Sequence, residues 1–100
     1  MARILKYPLE ITDTQYVNLH EGAEILSAQM QNGVLCIWAL SNDKAPKVPV
    51  CIRIVGTGHL IDDVDAAFLI PIDTVQDGAL VWHVFEECAD IEEETHERPN

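Results

Sequence analysis

One short segment groups the residue types that metal ions prefer. His59 lies close in sequence to Asp62, Asp63 and Asp65, and oxygen-rich loops of this kind suit Mg²⁺ or Ca²⁺. The acids do not follow the alternate spacing, central glycine and distal glutamate of an EF-hand loop. We therefore interpret the segment as a solvated loop between strands and predict no metal site.

A second candidate is the sequence Gly56-Thr57-Gly58-His59. It resembles part of a phosphate-binding loop, because the backbone amides of glycine-rich turns can hold anions. It lacks the Lys-Ser/Thr pair of a P-loop, so the plainer interpretation is a sharp exit from a strand. The binding interpretation would use Arg53, Thr57, Gly58 and His59, with a small nucleotide as ligand.

Patterns typical of nucleophilic or metal-dependent enzymes, such as G-x-S-x-G and H-E-x-x-H, do not occur in the sequence. His83 stands near Glu86 and could serve as a ligand or base, although such a histidine is more often a hydrogen-bonded residue of a strand. Cys36, Cys51 and Cys88 form no C-x-x-C pair, which favours free thiols that behave as small buried hydrophobes. We expect no enzyme activity, no catalytic residue and no cofactor.

The elements that would position these residues are strands. Short apolar runs recur about every eight to twelve residues with turn residues between them, a rhythm typical of an all-β sandwich or barrel. We predict about seven mostly antiparallel strands, of which those containing Pro8 and Pro71 lie at sheet edges because proline cannot donate to a ladder. The predicted strands and hairpin cover residues 3–11, 16–20, 23–40, 48–55, 67–72 and 80–85, and residues 60–66 form an acidic loop.

The hairpin over residues 23–40 turns at Asn32-Gly33, a pair that favours a two-residue type I′ turn. Such a turn fixes the register. One face then carries the pairs Gln31–Val34, Gln29–Cys36, Ser27–Trp38 and Ile25–Leu40. The other carries Met30–Leu35, Ala28–Ile37 and Leu26–Ala39, which is apolar throughout and is the predicted core face. Because the first face mixes glutamine with tryptophan and leucine, we predict that it meets a partner.

The composition of the chain, 100 residues with 48% hydrophobic content, predicts one folded domain. The net charge of −11 is uneven, since residues 1–85 hold ten acids and five bases and residues 86–100 hold seven acids and one base. We divide the chain into a β domain over residues 1–86 and an acidic tail or short helix over residues 87–100.

The distribution of charge and hydropathy also limits the partners. The few bases are scattered in sequence, which argues against direct nucleic-acid binding. No apolar run approaches the roughly 20 residues that cross a membrane, and the N-terminus shows no signal-peptide pattern. We expect a cytoplasmic protein with no membrane partner.

Several segments together are similar to a family of small, uncharacterised proteins encoded mainly by tailed bacteriophages and prophages. The resemblance spans residues 3–86. It is carried by Lys6-Tyr7-Pro8-Leu9, the segment from His20 to Leu26, Gln31-Asn32-Gly33, Leu40, Ile52-Arg53, Gly56-Thr57-Gly58-His59 and His83-Val84-Phe85. No activity follows from the resemblance, but small acidic phage proteins often act by binding.

We therefore expect a non-enzymatic phage protein that inhibits a bacterial host defence system by protein–protein occlusion. It would work in the host cytoplasm, bind a host protein and form a homo-oligomer. Its interface would include Trp38, Leu40, Cys36, Ile25 and Gln29. The alternatives are an oligomeric sponge for a small nucleotide signal, a virion accessory protein, and an acidic DNA mimic acting through Glu92, Glu93, Glu94 and Glu97.

Overall fold

Seven strands in two sheets make up the computed structural model, which describes residues 1–88. A three-stranded sheet has the order β1-β4-β3 and a four-stranded sheet the order β2-β5-β7-β6, with every neighbouring pair antiparallel. The elements are β1 (Ala2–Pro8), β2 (Thr14–His20), β3 (Glu24–Gln31), β4 (Val34–Asn42), β5 (Lys47–Gly56), α1 (Asp63–Ala66), β6 (Leu69–Asp77) and β7 (Leu80–Glu87). The all-β prediction is confirmed, and the strands do not close into one barrel.

The β3–β4 hairpin keeps the predicted turn. Asn32 and Gly33 have φ values of 52° and 82°, the two positive values that a type I′ turn requires. The predicted register holds from Gln31–Val34 to Ser27–Trp38, and then shifts between Ile25 and Ser27.

The shift is a β-bulge, and it makes two predicted pairs wrong. Ile25 lies opposite Ala39 instead of Leu40, and Leu26 is the extra residue. An inserted residue reverses the faces of all residues beyond it. Ile25 therefore packs against the core, whereas Leu26 is 44% exposed.

The core lies between the inner faces of the two sheets. Its buried residues come from β3, β4, β5, β6 and β7 and from the segment after β1, and they are Leu9, Ala28, Leu35, Ile37, Ile52, Ile54, Val75 and Val84. Tyr7 and Trp82 pack against this cluster. Leu19 of β2 is also buried.

Edge strands β3 and β6 pack side by side where the two sheets meet. The carboxylate of Asp73 links the two strands by a hydrogen bond: Asp73 Oδ2 accepts from the Ala28 N–H at 3.2 Å, and Asp73 Oδ1 accepts from the Thr74 N–H at 3.0 Å. The β6–β7 register shifts between Pro71 and Asp73. The carboxylate of Asp73 thus occupies the place that a ladder partner would take beside β3.

Three prolines, Pro8, Pro49 and Pro71, lie where a strand lacks a neighbour on one side. Pro8 and Pro71 are in edge strands β1 and β6, as predicted. In β5, the Ile54 N–H points towards the β2 side, because it donates to the Asp13 C=O at 3.2 Å. Pro49, an odd number of positions away, therefore faces the β7 side, where the ladder reaches only Cys51 within residues 1–88. Because Pro49 has no N–H to donate, another strand pairs less readily with this open edge.

The connection between β5 and β6 runs back along the four-stranded sheet. Both strands are antiparallel to β7, which lies between them, so they are parallel to each other. Residues 57–68 must return from the Gly56 end of β5 to the start of β6. This connection contains α1, a single helical turn from Asp63 to Ala66, where the sequence predicted only a loop.

Candidate functional sites

The outer face of the three-stranded sheet exposes a group of apolar side chains around Trp38. In the ladder, Trp38 lies between Lys6 of β1 and Ser27 of β3, and Leu40 lies between Ile4 and Glu24. Trp38 is half-buried. The large apolar residues exposed in this sheet are Ile4 (58%), Leu26 (44%), Val34 (43%) and Leu40 (39%).

Polar side chains cross the same face. Lys6 Nζ donates to Gln31 Oε1 at 2.6 Å, although these residues lie on the two opposite edge strands of the sheet. The pair spans the sheet near Cys36, which lies between Pro8 and Gln29 and is only 3% exposed.

Four of the five predicted interface residues thus belong to this outer face, since Trp38, Leu40, Cys36 and Gln29 alternate as predicted. Cys36 is covered, however, and Ile25 does not belong to the face, because the bulge turns it towards the core. Sequence reasoning missed Ile4 and Lys6, which reach the face only through the β1–β4 pairing.

The predicted nucleotide-binding residues separate into two groups. Arg53 Nη1 forms an ion pair with Glu87 Oε1 at 3.2 Å, and Arg53 Nε donates to the Asp13 C=O at 3.1 Å. These two contacts fix the Arg53 side chain between Asp13, which precedes β2, and Glu87 of β7, the strands on either side of β5. Thr57, Gly58 and His59 lie instead in the turn after β5, where the His59 N–H donates to the Gly56 C=O at 3.1 Å.

A glycine at position 56 makes room for the ring of His59. A Cβ atom added to Gly56 would lie 3.1 Å from His59 Cε1 and 3.4 Å from the Trp82 ring. Gly58 has φ of +89°, which suits the third position of a type II turn. The two glycines therefore shape a sharp strand exit, and His59 folds back over it.

A chain of hydrogen bonds joins this turn to the sheet. Thr57 Oγ1 lies 2.7 Å from His83 Nε2, and Thr74 Oγ1 lies 3.1 Å from His83 Nδ1. We call Thr57, His83 and Thr74 the threonine–histidine chain. Sequence reasoning named Thr57 and His83 separately and missed Thr74, because the strand order β5-β7-β6 was needed to bring them together.

The predicted buried thiols are confirmed for Cys36 and Cys51, which are free and buried. Burial raises the pKa of the Cys51 thiol, and the Glu87 carboxylate, whose Oε1 is 3.8 Å from Cys51 Sγ, raises that pKa further. Hydrogen bonding to Tyr16 and the charge of Arg53 act in the opposite direction. A thiol with a raised pKa is a poor nucleophile, so this group is a structural one.

A cleft of about 480 Å³ opens at the end of the four-stranded sheet. It is lined by residues at the ends of β2 and β7, the start of β3 and the first half of β5, including His20, Ile25, Pro49 and Glu86. The His20 Nδ1–H donates to the Ala45 C=O at 2.7 Å, so this ring is held in place by the loop before β5.

Metal-binding groups do not assemble in the part of the chain that the structure describes. Within residues 1–88, no three His, Cys, Asp or Glu side chains converge on one point. In the same residues no helix has the length and hydropathy to span a membrane. Glu92, Glu93, Glu94 and Glu97 of the predicted DNA-mimic tail lie outside the described residues.

The fold and these surfaces define a small all-β protein of two antiparallel sheets with an apolar outer face. The chain belongs to a family described as Domain of unknown function (DUF7352), whose model matches residues 1–95. No curated protein and no solved structure matches the chain.

Proposed function

We propose that the protein is a non-enzymatic, phage-encoded binding protein that inhibits a bacterial host defence system by occluding a protein surface. The observation that carries the proposal is the exposed apolar group around Trp38 on the outer face of the three-stranded sheet. Aromatic anchors in apolar patches with polar surroundings are typical of protein interfaces. The resemblance of residues 3–86 to phage proteins supplies the biological setting.

The composition of this face fits a protein partner better than a small molecule. Ile4, Leu26, Val34 and Leu40 each leave about half of their side chain in water. Covering them would contribute roughly 1 kcal/mol each, taking half of the value for complete burial. Lys6 and Glu24 at opposite edges of the sheet provide charges of both signs, which would orient a partner.

Host cytoplasm is the proposed site of action, and the same face would carry self-association into a homo-oligomer. Light scattering on the purified protein separates these uses. If Leu40→Lys lowers the mass, the face joins copies of the chain. If the mass is unchanged while the inhibitory effect is lost, the face is reserved for the foreign partner.

A plating assay tests the proposal directly. Strains that each carry one phage-defence system are infected with a sensitive phage, with and without the protein. We expect the protein to restore plating on at least one strain, and Ile4→Lys or Leu40→Lys to abolish the restoration. Leu60→Lys is the matched control, since Leu60 is 98% exposed and lies outside both sheets. Restoration on no strain, or equal activity of all variants, would contradict the proposal.

The DNA-mimic alternative is tested in the same assay. Removing residues 89–100 deletes the four glutamates named for it and leaves β7 and the Cys88 N–H to Phe68 C=O hydrogen bond in place. Loss of restoration would favour a mimic that acts through these carboxylates. Full retention would assign the effect to the β domain.

A further inference from the structure

The cleft at the end of the four-stranded sheet shares no lining residue with the outer face around Trp38. Its volume of about 480 Å³ lies within the range of roughly 300–1,000 Å³ that is typical of binding pockets. Its lining includes large apolar side chains from β2, β3 and β5, which are Leu19, Ile25, Val48 and Val50. All of these except Leu19 are only half-buried, so the cleft exposes apolar surface.

The edge of β5 is open along this cleft. β7 pairs with β5 only as far as Cys51, opposite Glu87, so within residues 1–88 no strand lies beside residues 47–49 on the β7 side. The backbone of Pro49 faces that side. Pro49 has a C=O group but no N–H. At this position the cleft therefore offers a hydrogen-bond acceptor and no donor.

The charge of the cleft is negative. Among its lining residues that the structure describes, three are glutamates and none is lysine or arginine; the glutamates are Glu21, Glu86 and Glu87. Glu87 is paired with Arg53 at 3.2 Å, whereas Glu21 is exposed. From the cleft wall at Cys88 the chain continues into residues 89–100, which hold five acids and one base. Negative charge concentrated beside a cleft attracts cations.

We propose that this cleft binds a basic segment of a partner protein, with an apolar side chain inside the cleft and arginine or lysine beside it. Arginine has several N–H donors and no acceptor, so it can bind the Glu21 carboxylate or the Pro49 C=O. An acidic segment would be repelled, and so would a second copy of this chain, whose net charge is −11. The proposal goes beyond the proposed function, because it uses a different surface and requires no phage origin.

Short peptides are the probes for this site. The peptide Arg-Leu-Arg-Leu-Arg is titrated into the full-length ¹⁵N-labelled protein at physiological ionic strength, and the amide signals of Ala23, Val48 and Val50 are followed. We expect saturable shifts of these signals. Arg-Ser-Arg-Ser-Arg, which lacks apolar side chains, and Glu-Leu-Glu-Leu-Glu, which has the opposite charge, should each bind at least about tenfold more weakly.

Variants test whether the cleft is the binding site. Val48→Lys puts an ammonium group into the cleft and should weaken binding of the arginine–leucine peptide roughly tenfold. Glu21→Lys reverses an exposed charge and should weaken binding about fivefold, the effect of losing an exposed ion pair. Glu10→Lys is the matched control, since Glu10 is also exposed but precedes β2, whereas the cleft lies at the far end of that strand. Its affinity should stay within about twofold of the wild type.

Leu40→Lys, which impairs the proposed interface on the outer face, should bind the peptide as the wild type does, so failure of one proposal does not imply failure of the other. The proposal is overturned if the cleft amides show no saturable shift, if Val48→Lys and Glu21→Lys both bind normally, or if the arginine–serine peptide binds equally well.

Two other occupants of the cleft are distinguished by the same signals. Removing residues 89–100 should weaken peptide binding, because five acids are lost. Tighter binding would instead assign the cleft to this C-terminal segment of the chain. Cleft signals that shift with protein concentration alone would assign it to a second copy. Either of these two results also overturns the proposal.

Discussion

Replacing Asp73 should show how much one side chain contributes to joining the two sheets. Its carboxylate accepts the Ala28 N–H from β3 at 3.2 Å and the Thr74 N–H of its own strand at 3.0 Å. Hydrogen bonds to charged groups contribute about 1.5–3 kcal/mol each. The hydrogen bond to Ala28 contributes a free energy at the lower end of this range, because Asp73 is half-buried. The local hydrogen bond to Thr74 contributes less, because water can take the place of Asp73 as the acceptor. We expect Asp73→Ala to lower the free energy of unfolding by about 2–3 kcal/mol.

A conservative variant separates the charge from the connection itself. Asp73→Asn keeps one acceptor oxygen, so it can retain one of the two bonds, and we expect a loss of about 1 kcal/mol. Urea unfolding at pH 7, followed by circular dichroism, measures both values. Glu21→Ala removes an exposed carboxylate from the turn before β3 and should change the unfolding free energy by less than about 0.5 kcal/mol.

Hydrogen exchange supplies a local readout for the same variants. Protection of the Ala28 N–H should fall in Asp73→Ala by more than the loss of global stability explains, because its acceptor is gone. If Asp73→Ala unfolds within about 0.5 kcal/mol of the wild type, or if Ala28 keeps its protection, the assignment of Asp73 as the connection between β3 and β6 is wrong.

Three further predictions follow from other features. Ile25→Ala should cost about 2 kcal/mol and Leu26→Ala less than about 1 in urea unfolding, the reverse of what a hairpin without the bulge would give. The pKa of the Cys51 thiol is raised in the folded protein, so the neutral thiol stabilises the fold fully below the usual thiol pKa of about 8.5, and this stabilisation is lost as pH rises towards the raised value. The free energy of unfolding should therefore fall over that pH range, and Cys51→Ser should make the fall smaller. Gly56→Ala should displace the His59 ring, seen as a changed ring-proton shift by NMR, at a cost below about 1 kcal/mol.

The turn at Asn32-Gly33 made much of the three-stranded sheet predictable. Its two positive φ values are a local property of these residue types, and five of the seven predicted cross-strand pairs follow from the register that it sets. The bulge at Leu26 could not be predicted, because the core face stays apolar whether Ile25 or Leu26 points towards it. The choice depends on which residue packs against Ala39 in the assembled sheet.

The threonine–histidine chain illustrates a second limit of the sequence. Thr57 lies in the turn after β5, Thr74 on β6 and His83 on β7. In the sequence Thr57 and Thr74 are 17 residues apart, Thr74 and His83 are 9 apart, and Thr57 and His83 are 26 apart. Nothing in local spacing indicates that β7 enters between β5 and β6. Once this strand order is known, Val55, His83 and Thr74 follow as neighbours from the register alone. The length of β6 was underestimated for a related reason, since its bulge near Pro71 interrupts the alternation that marks a strand.

The strand order also bears on how the chain is made. β7 is the last of the seven strands to leave the ribosome, yet it occupies an interior position between β5 and β6. Until Leu80–Glu87 has emerged, β5 and β6 each present an unsatisfied edge to their neighbours in the cell. During that interval Pro49, whose missing N–H faces the side that β7 will occupy, protects only part of the β5 edge, and the other open backbone groups are free to pair with another chain. Synthesis that stops before residue 80 would therefore release an aggregation-prone product and not a smaller folded one.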